Sequence, residues 1–156
     1  MIQTRARFVP PEKEPRAMQY LIPYVSVLAI FAVIDTLWLG TMASKIYRPL
    51  LGDILVQDFR VAPAIFFYCF YAVGLVIFAI SPALKSGQWT TALLWGALFG
   101  LFAYGTYDLT NYATLKNWGF KITAIDMAWG TFVSGTASVL AYLVSSWLLK
   151  LFAQAA

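Results

Sequence analysis

Histidine is missing from all 156 residues, cysteine occurs once, and charged side chains make up only 12% of the chain. The first absence removes His-ligated haem, chlorins held by imidazole, zinc sites of the usual kind and His general bases. The lone cysteine, Cys69, lies inside an apolar run, so neither an internal disulfide nor a cysteine metal cluster is available. Against 61% hydrophobic residues, so little charge rules out a water-soluble domain of this length and marks an integral membrane protein. The net charge of +4 does not point to nucleic acid, because every Lys and Arg lies outside the apolar runs, where membrane-flanking charges sit.

What is present is an all-α pattern. Residues 1–18 form a polar, Pro-rich N-terminal arm with no signal-peptide pattern. Four apolar runs follow, at about 19–43, 61–80, 89–113 and 125–149, each close to the ~20 residues needed to cross the hydrocarbon core. The expected architecture is an integral membrane bundle of four transmembrane helices spanning 19–149, followed by a short tail at 150–156. The connection 44–60 mixes charges with Ile, Leu and Val and reads as interfacial or partly re-entrant, with turns at Pro49 and Gly52. The link 81–88 contains Pro82 and Gly87 and predicts an antiparallel hairpin between the second and third helices. Six basic residues on one side of the membrane against five on the other favour both termini in the cytoplasm.

Helical spacing also predicts the packing faces. Gly96 and Gly100 make a GxxxG pair in the third run, and Gly130, Ser134, Ser138, Ala141 and Ser145 form a comparable small-residue line in the fourth. Such lines let helices approach closely in lipid, where no hydrophobic force drives them together. On the third run Tyr104, Tyr107, Asp108 and Asn111 recur at i, i+3, i+4 and i+7 as one polar stripe.

The four runs hold three acids, Asp35, Asp108 and Asp126, and no Lys or Arg. Counted inward from Lys45, Lys116 and Lys121 at ~1.5 Å per residue, all three fall in the same half of the membrane, and Tyr68 and Tyr71 reach that layer from the second helix. Trp38 follows Asp35 by three residues, and Trp129 follows Asp126 by three. We therefore expect an acidic and aromatic pocket fed by all four helices and built from Asp35, Trp38, Tyr68, Tyr71, Tyr104, Tyr107, Asp108, Asn111, Asp126 and Trp129. An Asp in hydrocarbon costs ~2.5–3.5 kcal/mol at the bilayer centre, so each acid needs protonation, hydrogen-bond donors, a base or a cation. The plainest alternative to a binding pocket is that Tyr and Trp donate to the acids and lock the helices together. Oxygen ligands alone leave a magnesium site conceivable, but there is no compact repeated-Asp motif and no metal is assigned.

At these residues the chain resembles the small bacterial membrane proteins grouped as domain of unknown function 2177. The phrases carrying the resemblance are DTLWLG at 35–40, YRPLLG at 47–52, FYCFYAVGLVIF at 67–78, YGTYDLTNYATLKNW at 104–118 and DMAWGT at 126–131. The resemblance implies a multi-pass, four-helix protein of the bacterial inner (cytoplasmic) membrane with no established activity. Genes of that family often lie near enzymes of lipid modification and oxidative-stress response, which is association and not mechanism.

Four functions compete. The pocket could hold the polar head of a lipid-, isoprenoid- or pigment-like molecule whose tail lies along the helices. The chain could instead be an auxiliary subunit packed against other membrane subunits, with its acids purely structural. A lipid-modifying enzyme would use Asp108 as general base and Lys116 or Lys121 for an anionic head group. No nucleophile–base pair, cofactor motif or phosphate loop supports that reading, so no catalytic residue is named and the cofactor is left open. Proton-coupled transport would need acids in both halves of the bundle. The first reading is favoured, with membrane lipid as the surrounding partner.

Overall fold

The computed structural model describes residues 17–155, and every regular element among them is helical. The N-terminal arm lies outside the described residues except for Ala17 and Met18, which open the first helix. The elements are α1 (Met18–Met42), α2 (Arg48–Leu51), α3 (Val61–Leu75), α4 (Ser81–Ser86), α5 (Trp89–Thr114) and α6 (Phe120–Ala155). A π turn, Ala43–Tyr47, joins α1 to α2, and a second, Val76–Ile80, joins α3 to α4. Three helical rods are long and apolar enough to cross a membrane: Met18–Leu51, Val61–Ser86 and Phe120–Gln154. The fourth rod, α5, has 26 residues, enough for ~39 Å, but is diluted by Gly, Tyr and Thr.

Three expected boundaries move. The first helix runs past residue 43 to Leu51, so the connection 44–60 begins as helix and turns at Gly52 and not at Pro49. Pro49 sits in the first turn after the π segment, where its missing N–H leaves little unsatisfied, and the turn comes at Gly52, whose φ of 53° suits glycine. In the same way Pro82 follows the second π turn without breaking the rod, which continues to Ser86 and stops at Gly87 with φ 70°. The Gly87 and Gln88 amides both reach the Ala83 carbonyl, and α5 begins at once, giving the expected antiparallel hairpin. α6 starts at Phe120 and ends at Ala155, longer at both ends than 125–149, so Lys121 and most of the tail are helical.

α6 is the central rod. It packs most extensively on α5 and next on α1, while α3 leans on α1 and the second π turn packs on α5. The α5–α6 seam explains the small residues. A Cβ on Gly96 would stand 2.7 Å from the Cβ of Ser138, and one on Gly100 would collide with the backbone carbonyl of Gly130 and with Ser134. Gly130 is in turn covered by the ring of Tyr104. The pairs 96/138, 100/134 and 104/130 define one antiparallel register, and one further turn sets Asp108 level with Asp126. Dispersion between closely approaching backbones, not apolar burial, is what holds such a seam in lipid.

The main core joins Val27 and Phe31 of α1 to Tyr71, Ala72 and Leu75 of α3, Ile80 of the second π turn, Ala92 of α5 and Val133, Ala137 and Ala141 of α6. A second cluster, Leu51, Trp118 and Ile122, ties the end of the α1–α2 rod to the α5–α6 connection. Phe66, Phe70, Leu37, Val33 and Phe132 point outward, as lipid-facing side chains do. α5 also exposes Thr106, Thr110 and Thr114, yet each hydroxyl donates to the carbonyl four residues back at 2.6–2.7 Å. Those back-bonds let hydroxyls face an apolar medium without an unsatisfied donor.

Candidate functional site

Two of the three acids accept hydrogen bonds from neighbouring elements, and the D-x-x-W phrases of α1 and α6 are reciprocal. Asp35 accepts hydrogen bonds from Trp129 Nε1 on α6 at 2.9 Å and from Tyr68 Oη on α3 at 2.8 Å. Asp126 accepts from Tyr47 Oη, and that hydroxyl itself receives Trp38 Nε1 at 3.1 Å. Each tryptophan thus serves the acid of the opposite helix, Trp129 directly and Trp38 through Tyr47. The two indoles stack face to face, with centroids 4.1 Å apart and planes within 8°. Helical phase makes this possible: an acid and a Trp three residues apart share one face, so two antiparallel copies of the phrase can meet.

Asp108 differs. It is fully buried, and among the described residues neither carboxyl oxygen has a hydrogen-bond partner. On the same stripe Tyr107 is exposed and sets its ring edge-on to Trp118, with centroids 5.4 Å apart, while Asn111 is half-buried. Trp118 Nε1 is another buried group without a partner. Tyr71 is buried, bonds Ser134 Oγ at 2.8 Å and lies edge-on to Tyr104.

Tyr71, Tyr104 and Tyr107 line a groove of about 680 Å³ between α3 and α5. Its other walls are apolar, among them Phe67, Phe70, Ile77, Phe78, Phe99 and Ala103. Gly74 lets the ring of Phe99 close against α3, since a Cβ there would run into it. The ten residues expected to share one pocket therefore divide. Asp35, Tyr68 and Trp129 form one hydrogen-bonded group and Asp126 and Trp38, through Tyr47, another, joined by the stacked indoles into a latch; Tyr71, Tyr104 and Tyr107 face the groove; Asp108 and Asn111 follow Tyr107 on α5 without lining it. Among the described residues, no cluster of three His, Cys, Asp or Glu could hold a metal ion.

Three contributors escaped the reading of the residues. Tyr47 is the direct donor to Asp126, Ser134 is the partner of Tyr71, and Phe99 walls the groove. In the sequence Tyr47 is marked only as an aromatic in a mixed charged and aliphatic connection and as the first residue of the YRPLLG phrase.

Across residues 20–143 the chain matches the family described as "Predicted membrane protein (DUF2177)", which covers well over half of it. The chain belongs to this family. Its match ends inside α6 and takes in both D-x-x-W phrases, the Tyr47 turn, the groove and Asp108. No curated protein and no solved structure matches the chain. Membership of DUF2177 agrees with an integral membrane location.

Proposed function

We propose that this DUF2177 protein is an intramembrane binding protein for a lipid-, isoprenoid- or pigment-like molecule. In this reading the molecule's chain lies in the groove between α3 and α5, and its polar end meets the Tyr104 and Tyr107 end. The observation that carries the reading is the groove itself: about 680 Å³, apolar along its length and tyrosine-lined at the end where Tyr104 and Tyr107 stand. From Phe67 to Phe78 its α3 wall runs ~16 Å, a length suited to a hydrocarbon chain. Pockets of this kind, apolar with a few convergent polar groups, are the usual form of a small-molecule site.

The same reading takes α5 as a fourth membrane span. It is supported by the length of α5, by its glycine seam against α6 and by the self-bonded threonines on its outer face. The six-to-five distribution of basic residues then favours both termini in the cytoplasm of a bacterial inner membrane.

The test is native mass spectrometry of protein extracted gently from its own membrane, on the wild type and on Ala103→Trp, which fills the groove. The expected result is a small molecule held at one per chain by the wild type and lost by the variant at unchanged melting temperature. Asp108→Asn should weaken retention if the acid orients the polar end. An empty groove together with co-purifying membrane subunits would replace this reading by that of an auxiliary subunit.

A further inference from the structure

At the end of the bundle remote from the three acids, a second cavity of about 460 Å³ lies where three parts of the chain converge. The start of α1 brings Gln19 and Tyr20, the α4 end brings Ser81 and Lys85, and the last turns of α6 bring Ser146 and Lys150. Among the described residues, no Asp or Glu lines it, and two lysines do. Ser81 Oγ is buried there and has no hydrogen-bond partner, which leaves a hydroxyl donor to spare. Leu84, Tyr142 and Leu149 complete the wall toward the bundle, placing the cavity where the apolar spans end.

Two cations with hydroxyl and amide donors, converging at the boundary of the hydrocarbon, are a receptor for a phosphate group. We infer that this cavity binds the phosphate of an anionic membrane lipid, held between Lys85 and Lys150, with its acyl chains leaving along the outer faces of the neighbouring helices. Phosphate esters in that position could come from the bilayer or from solution. The lateral placement at the ends of the spans favours the bilayer. The inference is independent of the groove between α3 and α5, which lies in the other half of the bundle and has different walls.

The experiment uses full-length protein in nanodiscs of equimolar phosphatidylglycerol and phosphatidylcholine, and counts by native mass spectrometry the lipids that stay bound on release. The wild type should retain phosphatidylglycerol preferentially. With both ammonium groups removed from one phosphate site, Lys85→Gln with Lys150→Gln should lower that preference roughly tenfold to thirtyfold. Lys85→Arg with Lys150→Arg should preserve it, which separates a lost charge from a lost fold. Lys45→Gln with Lys116→Gln, at the opposite end of the bundle, should leave it unchanged. An equal loss in that control pair, or unchanged preference in the Lys85 and Lys150 double Gln variant, overturns the site. Displacement of the lipid by millimolar inorganic phosphate overturns the lipid as its natural occupant.

Discussion

Truncating Asp35 and Asp108 separately should have opposite consequences, although both are buried acids in the same layer. Asp35→Ala strips two donors of their acceptor, Tyr68 Oη and Trp129 Nε1, and leaves both facing an apolar interior. Inter-helix hydrogen bonds in membranes contribute ~0.6 kcal/mol on average and up to ~1.7, so losing two destabilises by roughly 1–3 kcal/mol. Asp108→Ala removes no hydrogen bond, because neither of its oxygens has a partner, and it relieves the burial of a polar group. The atoms deleted are the same in both variants, so their cavity contributions largely cancel in the comparison. Asp108→Ala should therefore be neutral or stabilising, and the two variants should differ by at least ~1 kcal/mol. Unfolding by dodecyl sulfate in mixed micelles, followed by near-ultraviolet circular dichroism, reads the difference directly. Equal destabilisation by the two substitutions would refute the reasoning, because Asp108 would then be a structural acceptor. A gain of stability in Asp108→Ala together with loss of the groove's occupant is the pattern of a residue kept for function against the interest of the fold.

Two further outcomes follow from the packing. Gly100→Ala drives a methyl group into the backbone carbonyl of Gly130, which no side-chain rotation relieves, so it should lose ~1–3 kcal/mol or more. Gly40→Ala, where nothing lies within 4 Å, should be neutral or gain ~0.4–1 kcal/mol in the same assay. If α5 crosses the bilayer, single cysteines at Gln88→Cys and Asn117→Cys in a Cys69→Ser background should react with an impermeant maleimide from opposite sides of sealed vesicles. Labelling of both from one side would make α5 a non-spanning helix.

The parts of this architecture that depend on composition and spacing were legible before any coordinates. Long apolar runs need lipid, and Gly96, Gly100, Ser134 and Ser138 can only mean close helix approach, because lipid gives larger side chains no reason to avoid that face. The π turns were not legible. Each adds one residue to a helical turn without a compositional mark, and each lets a proline, Pro49 or Pro82, sit where a break was expected. The split of the stripe on α5 was also hidden. Four residues at i, i+3, i+4 and i+7 cover a wide arc, and α6 covers only one side of it, burying Asp108 and leaving Tyr107 out. Spacing said that an acid and a Trp share a face on α1 and again on α6. It could not say that the two pairs would serve each other, since that depends on how the helices cross and on where the Ala43–Tyr47 turn delivers Tyr47.

The reciprocal latch sets a timetable for biogenesis. A ribosome delivers Asp35 into the bilayer long before the donors that satisfy it: Tyr68 follows 33 residues later and Trp129 only after 94. Asp126 is spared that wait, because Tyr47 has been in place for 79 residues when the acid emerges. The first helix must therefore reside as an incomplete lodger, with its carboxyl exposed to lipid or shielded by the insertion machinery, until the last helix arrives and closes both halves of the latch together. Membrane-insertion factors that hold early helices back should matter more to this small protein than its simple topology suggests.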